Sequence, residues 1–146
     1  MSIFNSFDIS ASGMTSQRFR SDIIMQNIAN ATTTRTEDGT PYRRKIVTFA
    51  EKETTPFSNV LARTSADAVG AGVKVTRVSE DYETEMVKSY DPSHPDADED
   101  GYVTYPNVNI ITEMTNLIDA TRSYEANTTA FEASKTMITK GLSMGK

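Results

Sequence analysis

The 146-residue chain has no cysteine, no tryptophan and a single histidine. Without thiols it can form no disulfide, no cysteine-ligated zinc site and no thiolate nucleophile. Nor does it hold an apolar run of membrane-spanning or signal-peptide length. The first basic residue is Arg18, so the sequence predicts neither a cleaved secretory signal nor direct membrane insertion. Positive charge is also scarce, with 15 Lys and Arg against 20 Asp and Glu and a net charge of −5. Affinity for phosphate backbones comes from clustered Lys and Arg, so nucleic acid is excluded as a partner. Helix breakers are few: no proline follows Pro106, and Gly13 is the only glycine before Gly39. With 37% hydrophobic residues the chain can bury only a modest core, and its burial is expected to be completed against other chains.

What is present is organised around the last third, from Val108 to Leu142. Alternating steps of three and four residues from Ile110 give Ile110, Met114, Leu117, Thr121, Tyr124, Thr128, Phe131, Lys135, Ile138 and Leu142, a seven-residue repeat that predicts one long helix with a seam. Pro106 and Gly141 are residue types expected just outside a helix start and at a helix end. Such a helix is roughly 50 Å long and needs a partner along its length. Ile111, Ile118, Ala120, Ala126, Ala130, Ala133 and Met137 lie off the seam, so the buried face is expected to be wider than a two-stranded coiled coil requires.

A second long helix is predicted from Ile3 to Asn30. On a helical wheel Phe7, Ala11, Met14, Met25 and Ile28 share one face, while Ile9, Phe19 and Ile23 fall on nearly the opposite one. Two stripes imply different neighbours on the two sides. Between the helices, residues 31–107 read as a small β-rich insertion. Asp38-Gly39 marks a turn, Tyr42–Phe49 and Gly72–Ser79 are strand candidates, a polar loop surrounds Pro56, and Met86–Tyr90 is expected to extend the sheet. The predicted class is α+β: terminal helices 1–30 and 108–146 paired in a coiled-coil-like unit, with 31–107 inserted between them.

Candidate chemistry is thin. Asp96-Ala-Asp98-Glu-Asp100-Gly101 matches the opening of a calcium loop. Position twelve is then Asn107 where a bidentate Glu is needed, and Pro95 and Pro106 block the flanking helices, so an acidic turn is the expectation. His94, between Pro92 and Pro95, has no Cys partner and reads as a loop histidine with a structural hydrogen bond. Gly70-Ala-Gly72 lacks the rest of a phosphate-cradling spacing. Arg43, Arg44 and Lys45 form the one basic run and read as a solvated strand edge. No catalytic, cofactor-binding or metal-binding set emerges.

The residues do carry a resemblance. Asn27-Ile-Ala-Asn30-Ala-Thr-Thr33 resembles the Ala-Asn-x-x-Thr signature (Ala29, Asn30, Thr33) of the bacterial flagellar rod and hook family of axial proteins. Gly39-Thr-Pro-Tyr-Arg-Arg44, Gly72-Val-Lys-Val75 and the stretch 90–108, with Asp91, Pro92, His94, Pro95, Asp98, Asp100, Gly101, Tyr105, Pro106 and Asn107, are similar to its proximal-rod members. Arg122-Ser-Tyr-Glu-Ala-Asn127 and Thr129-Ala-Phe131 fit the family's last helix. The resemblance implies a non-enzymatic structural subunit of the flagellar basal body, polymerising helically into a hollow periplasmic drive shaft that transmits torque. It implies an inner rod-core domain made of the terminal helices. The implied partners are the chain itself, the other proximal rod subunits, the distal rod protein, the adaptor joining rod to MS ring and the flagellar type III export apparatus, which would carry the chain out without a cleaved signal.

Under that reading Phe7, Met14, Ile28, Met114, Leu117, Tyr124, Phe131 and Ile138 are the expected assembly and packing residues. Asn27 and Asn30 would satisfy backbone groups where the first helix ends. The alternative is a non-enzymatic helical binding or chaperone module that captures one partner in a discrete complex.

Overall fold

A computed structural model of the chain describes residues 3–52 and 70–145. The polar loop expected around Pro56 lies outside the described residues. Helix α1 spans Ile3–Ala29, strand β1 Lys45–Glu51, β2 Val73–Glu80, β3 Val87–Tyr90, β4 Tyr102–Tyr105 and helix α2 Ile110–Met144. The class is α+β, with terminal helices and a small β region between them, as the sequence predicts.

Local chemistry sets the helix boundaries. Asn109 caps α2, its Oδ1 accepting the backbone N–H groups of Ile111 (3.0 Å) and Thr112 (3.2 Å). At the end of α1, Asn30 donates from Nδ2 to the Gln26 carbonyl at 2.9 Å. Gly141 does not end α2, which runs on to Met144. A glycine inside a helix costs about 1 kcal/mol against alanine, too little by itself to terminate a helix. The many hydroxyls are tolerated because they turn onto their own backbone. Thr115, Thr128, Thr129, Ser134, Thr136 and Thr139 each donate to the carbonyl four residues back.

The described strands form two separate two-stranded sheets, β1–β2 and β3–β4. In β1–β2 the Lys52 N–H donates to the Gly72 carbonyl and the Asp81 N–H to that of Arg44, an antiparallel order. β3 and β4 are antiparallel, with Val87 opposite Tyr105 and Tyr90 opposite Tyr102. Residues 87–90 therefore do not extend the first sheet. They pair with β4, a strand too short, between Gly101 and Pro106, to show a period-two signal of its own. The expected Asp38-Gly39 turn is present. Gly39 has φ 75° and donates to the Thr36 carbonyl, while Thr36 N–H donates to that of Thr40.

Contacts divide the chain into two compact units. One takes α1 up to Phe19, β1 from Phe49, β2 up to Thr76 and α2 from Ala120. Within it the helices run antiparallel. The rings of Phe7 and Phe131 meet edge to face at 4.7 Å, Thr128 Oγ1 lies 3.3 Å from Met14 Sδ, and a Cβ on Gly13 would stand 2.6 Å from Asn127 Oδ1. The other side of α1 meets β2, where Ser12 Oγ accepts the Val73 N–H at 3.1 Å. Here α1 does have two neighbours on opposite sides, α2 and β2.

The other unit takes α1 from Arg20, β1 up to Thr48, β2 from Arg77, both strands of the second sheet and α2 up to Asp119. Its buried apolar side chains are Ile24, Tyr42, Val103 and Pro106, while Asn27, Asp81, Asn107 and Glu113 are equally buried. A core this polar stands only if every polar group finds a partner.

The seam of α2 differs from the one read in the sequence. The inward positions are Glu113, Asn116, Leu117, Ala120, Ser123, Asn127, Thr128, Phe131, Ser134 and Ile138. Leu117, Thr128, Phe131 and Ile138 belong to the expected repeat, whereas Ile110, Met114, Tyr124 and Leu142 are exposed. The register follows the small and polar side chains. Gly13 permits close approach to Asn127, Ala120 is fully buried, and Glu113 is drawn inward by an arginine.

Candidate functional site

The densest chemistry lies in the second unit and is built from four segments. Glu113, 1% exposed, receives Arg44 Nε at 2.9 Å and Nη2 at 2.8 Å on Oε1, and Asn27 Nδ2 at 3.1 Å on Oε2. Asn27 is saturated. Its Oδ1 accepts the Tyr42 hydroxyl and the Lys45 N–H, both at 2.9 Å, and its Nδ2 also donates to the Lys45 carbonyl. Asn27 thus holds β1 to α1 rather than closing the helix end. A carboxamide matches both the N–H and the carbonyl of one residue, here Lys45 at the start of β1.

Asn107 repeats the device one turn before α2. Its Oδ1 accepts the Arg44 N–H at 2.9 Å, and its Nδ2 donates to the carbonyls of Asp81 (3.0 Å) and Thr84 (3.1 Å). Asp81 in turn accepts the N–H groups of Glu83 and Thr84 and the Thr84 hydroxyl. The Thr84 backbone N–H foremost, with Arg44 Nη1 at 3.6 Å adding to it, holds the Asp81 carboxyl below its usual value of 3.8. Burial, with the charges of Glu80 and Glu113, raises the Tyr42 phenol. Arg44 is the hub, joining two buried carboxylates with one guanidinium.

The basic run is therefore not a solvated edge. Arg44 and the Tyr42 hydroxyl turn into the polar core, while Arg43 and Lys45 lie along an open groove where β1 begins. There Arg43 lies 4.4 Å from the Tyr82 ring centroid and Lys45 Nζ 5.8 Å from that of Tyr42. Period-two reading of residues 42–45 was the available signal for Arg44. Nothing in the helical pattern singled out Glu113.

The motif residues of the 90–108 stretch shape a loop and a hairpin. Asp91 accepts both the hydroxyl and the N–H of Ser93, and the hydroxyl above all keeps its carboxyl low. His94 behaves as expected for a loop histidine, its Nδ1 accepting the Asp96 N–H at 3.1 Å and its ring meeting Tyr105. Pro92 and Pro95 bracket it, and Pro106 is fully buried ahead of Asn107. The acidic run makes a turn. Gly101, φ 79°, donates to the Asp98 carbonyl and the Asp98 N–H donates to that of Tyr102, both at 2.8 Å, while Asp96 is held by Thr34 and Arg35. Asp100 stays exposed. In the first motif Thr33 donates to Asn30 Oδ1 at 3.2 Å, and Ala29 is exposed.

The expected packing residues separate into two sets. Phe7, Met14 and Phe131 meet inside the chain, and Ile28 and Leu117 are half-buried. Ile138, with Met137 and Leu142, lines an apolar groove of about 340 Å³ in the first unit. Met114 and Tyr124 face outward, together with Ile110, Ile118, Ile111 at 78% exposure and Leu142 at 73%. Asn27, Asp81, Asn107 and Glu113 are committed to bonds with Arg44, Tyr42, Thr84 and neighbouring backbone. No group of three or more potential metal ligands is found among the described residues, and no described helix is long and apolar enough to cross a membrane.

Residues 99–144 match the family model described as the flagellar basal body rod FlgEFG protein C-terminal. The chain is 43% identical to the flagellar basal-body rod protein FlgC of Bacillus subtilis across the whole of both chains. It is 40% identical to that of Borreliella burgdorferi over 99% of this chain and 98% of the relative, and 38% identical to that of Salmonella typhimurium over the whole of both. These full-length matches place this chain in the flagellar basal-body rod protein FlgC family.

Proposed function

We propose that the chain is a structural, non-catalytic subunit of the flagellar basal-body rod, polymerising helically with itself and with other rod proteins into a hollow shaft that transmits torque across the periplasm. Family membership supports the rod assignment. The observation that carries the assembly reading is the outward face of α2, where Ile110, Ile111, Met114 and Ile118 are exposed while Glu113 and Asn116 point inward. A helix that spends its apolar residues on the outside is built for a neighbour. A heterologous contact that does not close gives a helical polymer. In this reading residues 1–30 and 108–146 form the inner rod core and 31–107 the outer part. The neighbours are the other proximal rod subunits, the distal rod protein and the adaptor to the MS ring. The chain leaves the cell through the flagellar type III export apparatus.

The test is cysteine crosslinking in the cysteine-free background, with Ile111→Cys and Met137→Cys at outward positions. A ladder of crosslinked subunits in purified basal bodies supports the reading. A single soluble heterodimer, with the chain absent from basal bodies, supports the discrete binding module instead.

A further inference from the structure

Over its first turns, within the second unit, α2 gives a largely polar side to its own chain and an apolar side to solvent. Glu113, Asn116 and Leu117 point inward, while Ile110, Ile111, Met114 and Ile118 are exposed. Met114 follows Glu113 by one residue, roughly 100° of helical turn, and Ile110 and Ile118 lie one turn to either side of Met114. Turning this part of α2 by that step would bury Ile110, Met114 and Ile118, keep Leu117 at the edge of the contact, and send Glu113 and Asn116 into water. Removing apolar surface from water favours the turned orientation. Something in the fold must oppose it.

The opposing element is one charge cluster whose donors are anchored outside α2. Glu113 receives Arg44 Nε at 2.9 Å and Nη2 at 2.8 Å, and Asn27 Nδ2 at 3.1 Å. Neither donor is free to follow a turning helix. Asn27 is tied to the N–H and the carbonyl of Lys45, both at 2.9 Å, and the Arg44 N–H is tied to Asn107 Oδ1 at 2.9 Å. If Glu113 left, Arg44 would keep only Asp81, at 3.6 Å. Breaking a buried, hydrogen-bonded ion pair is strongly unfavourable, whereas replacing both partners by apolar residues of similar volume is tolerated. Such a pair selects one orientation more than it adds stability.

We propose that the Arg44–Glu113–Asn27 cluster is an orientation lock for α2, holding the Ile110–Met114–Ile118 stripe outward where a neighbouring copy can reach it. The inference rests on the reading that this stripe serves assembly. Glu113 and Asn27, each 1% exposed, are positioning residues that act through the face they turn outward. Replacing the charge pair by apolar residues leaves a folded chain whose stripe has turned inward.

The experiment compares the full chain with its Arg44→Met plus Glu113→Leu variant. Single cysteines, Met114→Cys or Asn116→Cys, are placed in this cysteine-free background, and their rates of maleimide labelling in purified monomer report the orientation of α2. With the charge pair intact, Met114→Cys is expected to label fast and Asn116→Cys slowly. With the pair replaced the order should reverse, by about tenfold at each position, while the helical circular dichroism is kept. As the sole copy in cells, the Arg44→Met plus Glu113→Leu chain should fall by about tenfold or more in purified basal bodies, because the apolar anchors of the contact are withdrawn. A cluster that only adds stability leaves both labelling rates unchanged, so a folded variant that labels like the unaltered chain overturns the proposal. Should the double variant fail to fold, Glu113→Leu alone, in which Arg44 keeps Asp81, is expected to show the same reversal, and unchanged rates there overturn the lock. Reversed labelling with undiminished incorporation leaves the lock standing and overturns instead the reading that the stripe serves assembly.

Discussion

Replacing Arg44 with methionine removes the only cation paired with the Glu113 and Asp81 carboxylates among the described residues, and the size of the effect follows from burial. Glu113 is 1% exposed and receives three of its contacts from Arg44 and Asn27. Without Arg44 it is a buried carboxylate left with the carboxamides of Asn27 at 3.1 Å and Asn116 at 3.4 Å as its donors. Removing one partner of a buried ion pair costs about 3–5 kcal/mol, against a total stability of about 5–15 kcal/mol for a domain. With a urea m-value of about 2 kcal/mol per molar, the midpoint of Arg44→Met falls by about 2 M. Arg44→Met combined with Glu113→Leu removes both charges, and the double variant should regain most of that loss, stopping about 1–2 kcal/mol short because Asn27 and Asp81 each lose a bond. The assay is urea unfolding of purified monomer followed at 222 nm. A single variant within about 0.5 kcal/mol of wild type, or a double variant no better than the single, would refute the claim that this charge cluster holds the second unit together.

Three further outcomes follow from named contacts. Gly72 has φ 105°, and a Cβ there would collide with Ser12 Oγ. Gly72→Ala should therefore cost about 2 kcal/mol or more, a fall in melting temperature of about 4–8 °C, whereas Gly39→Ala, with open space around it, should lose only the strain of its positive φ. Phe131→Ala empties half of the Phe7–Phe131 contact and should cost about 1–3 kcal/mol in thermal or urea unfolding, since the ring is only half-buried. The pH dependence has a definite sign. Asp81 is depressed in the native chain, so the unfolded state binds its proton more readily, and the stability it contributes is present above about pH 3.8 and lost as the pH falls through its native value. Asp81→Asn should flatten that acid limb of the unfolding curve, and an unchanged limb would contradict the assignment.

Long elements were legible in the sequence because their signals are long. Both helices are found within two residues at every end, and both strands of the first sheet lie within three residues of their expected positions. Short elements and facing were not. β4 has four residues and could not announce a period. The inward face of α2 was read only in part, through Leu117, Thr128, Phe131 and Ile138, because apolar periodicity assumes that apolar residues face the chain's own core. In this chain Ile111 and Ile118 face away and Glu113, Ser123 and Asn127 face in, because one arginine and a set of small side chains decide the register. Asn27 was visible as a motif residue, but its role was not, since its partners at residues 42, 45 and 113 are brought together only by the fold.

An outward apolar face of α2 that serves assembly, as proposed, contributes nothing to the fold of the single chain. Ile111→Asp with Ile118→Asp tests it most directly, because both side chains are exposed. The purified variant should unfold within about 0.5 kcal/mol of wild type, while cells carrying it as the sole copy should be non-motile and their basal bodies should lack the chain. Normal motility with normal incorporation would mean that this face has no part in assembly.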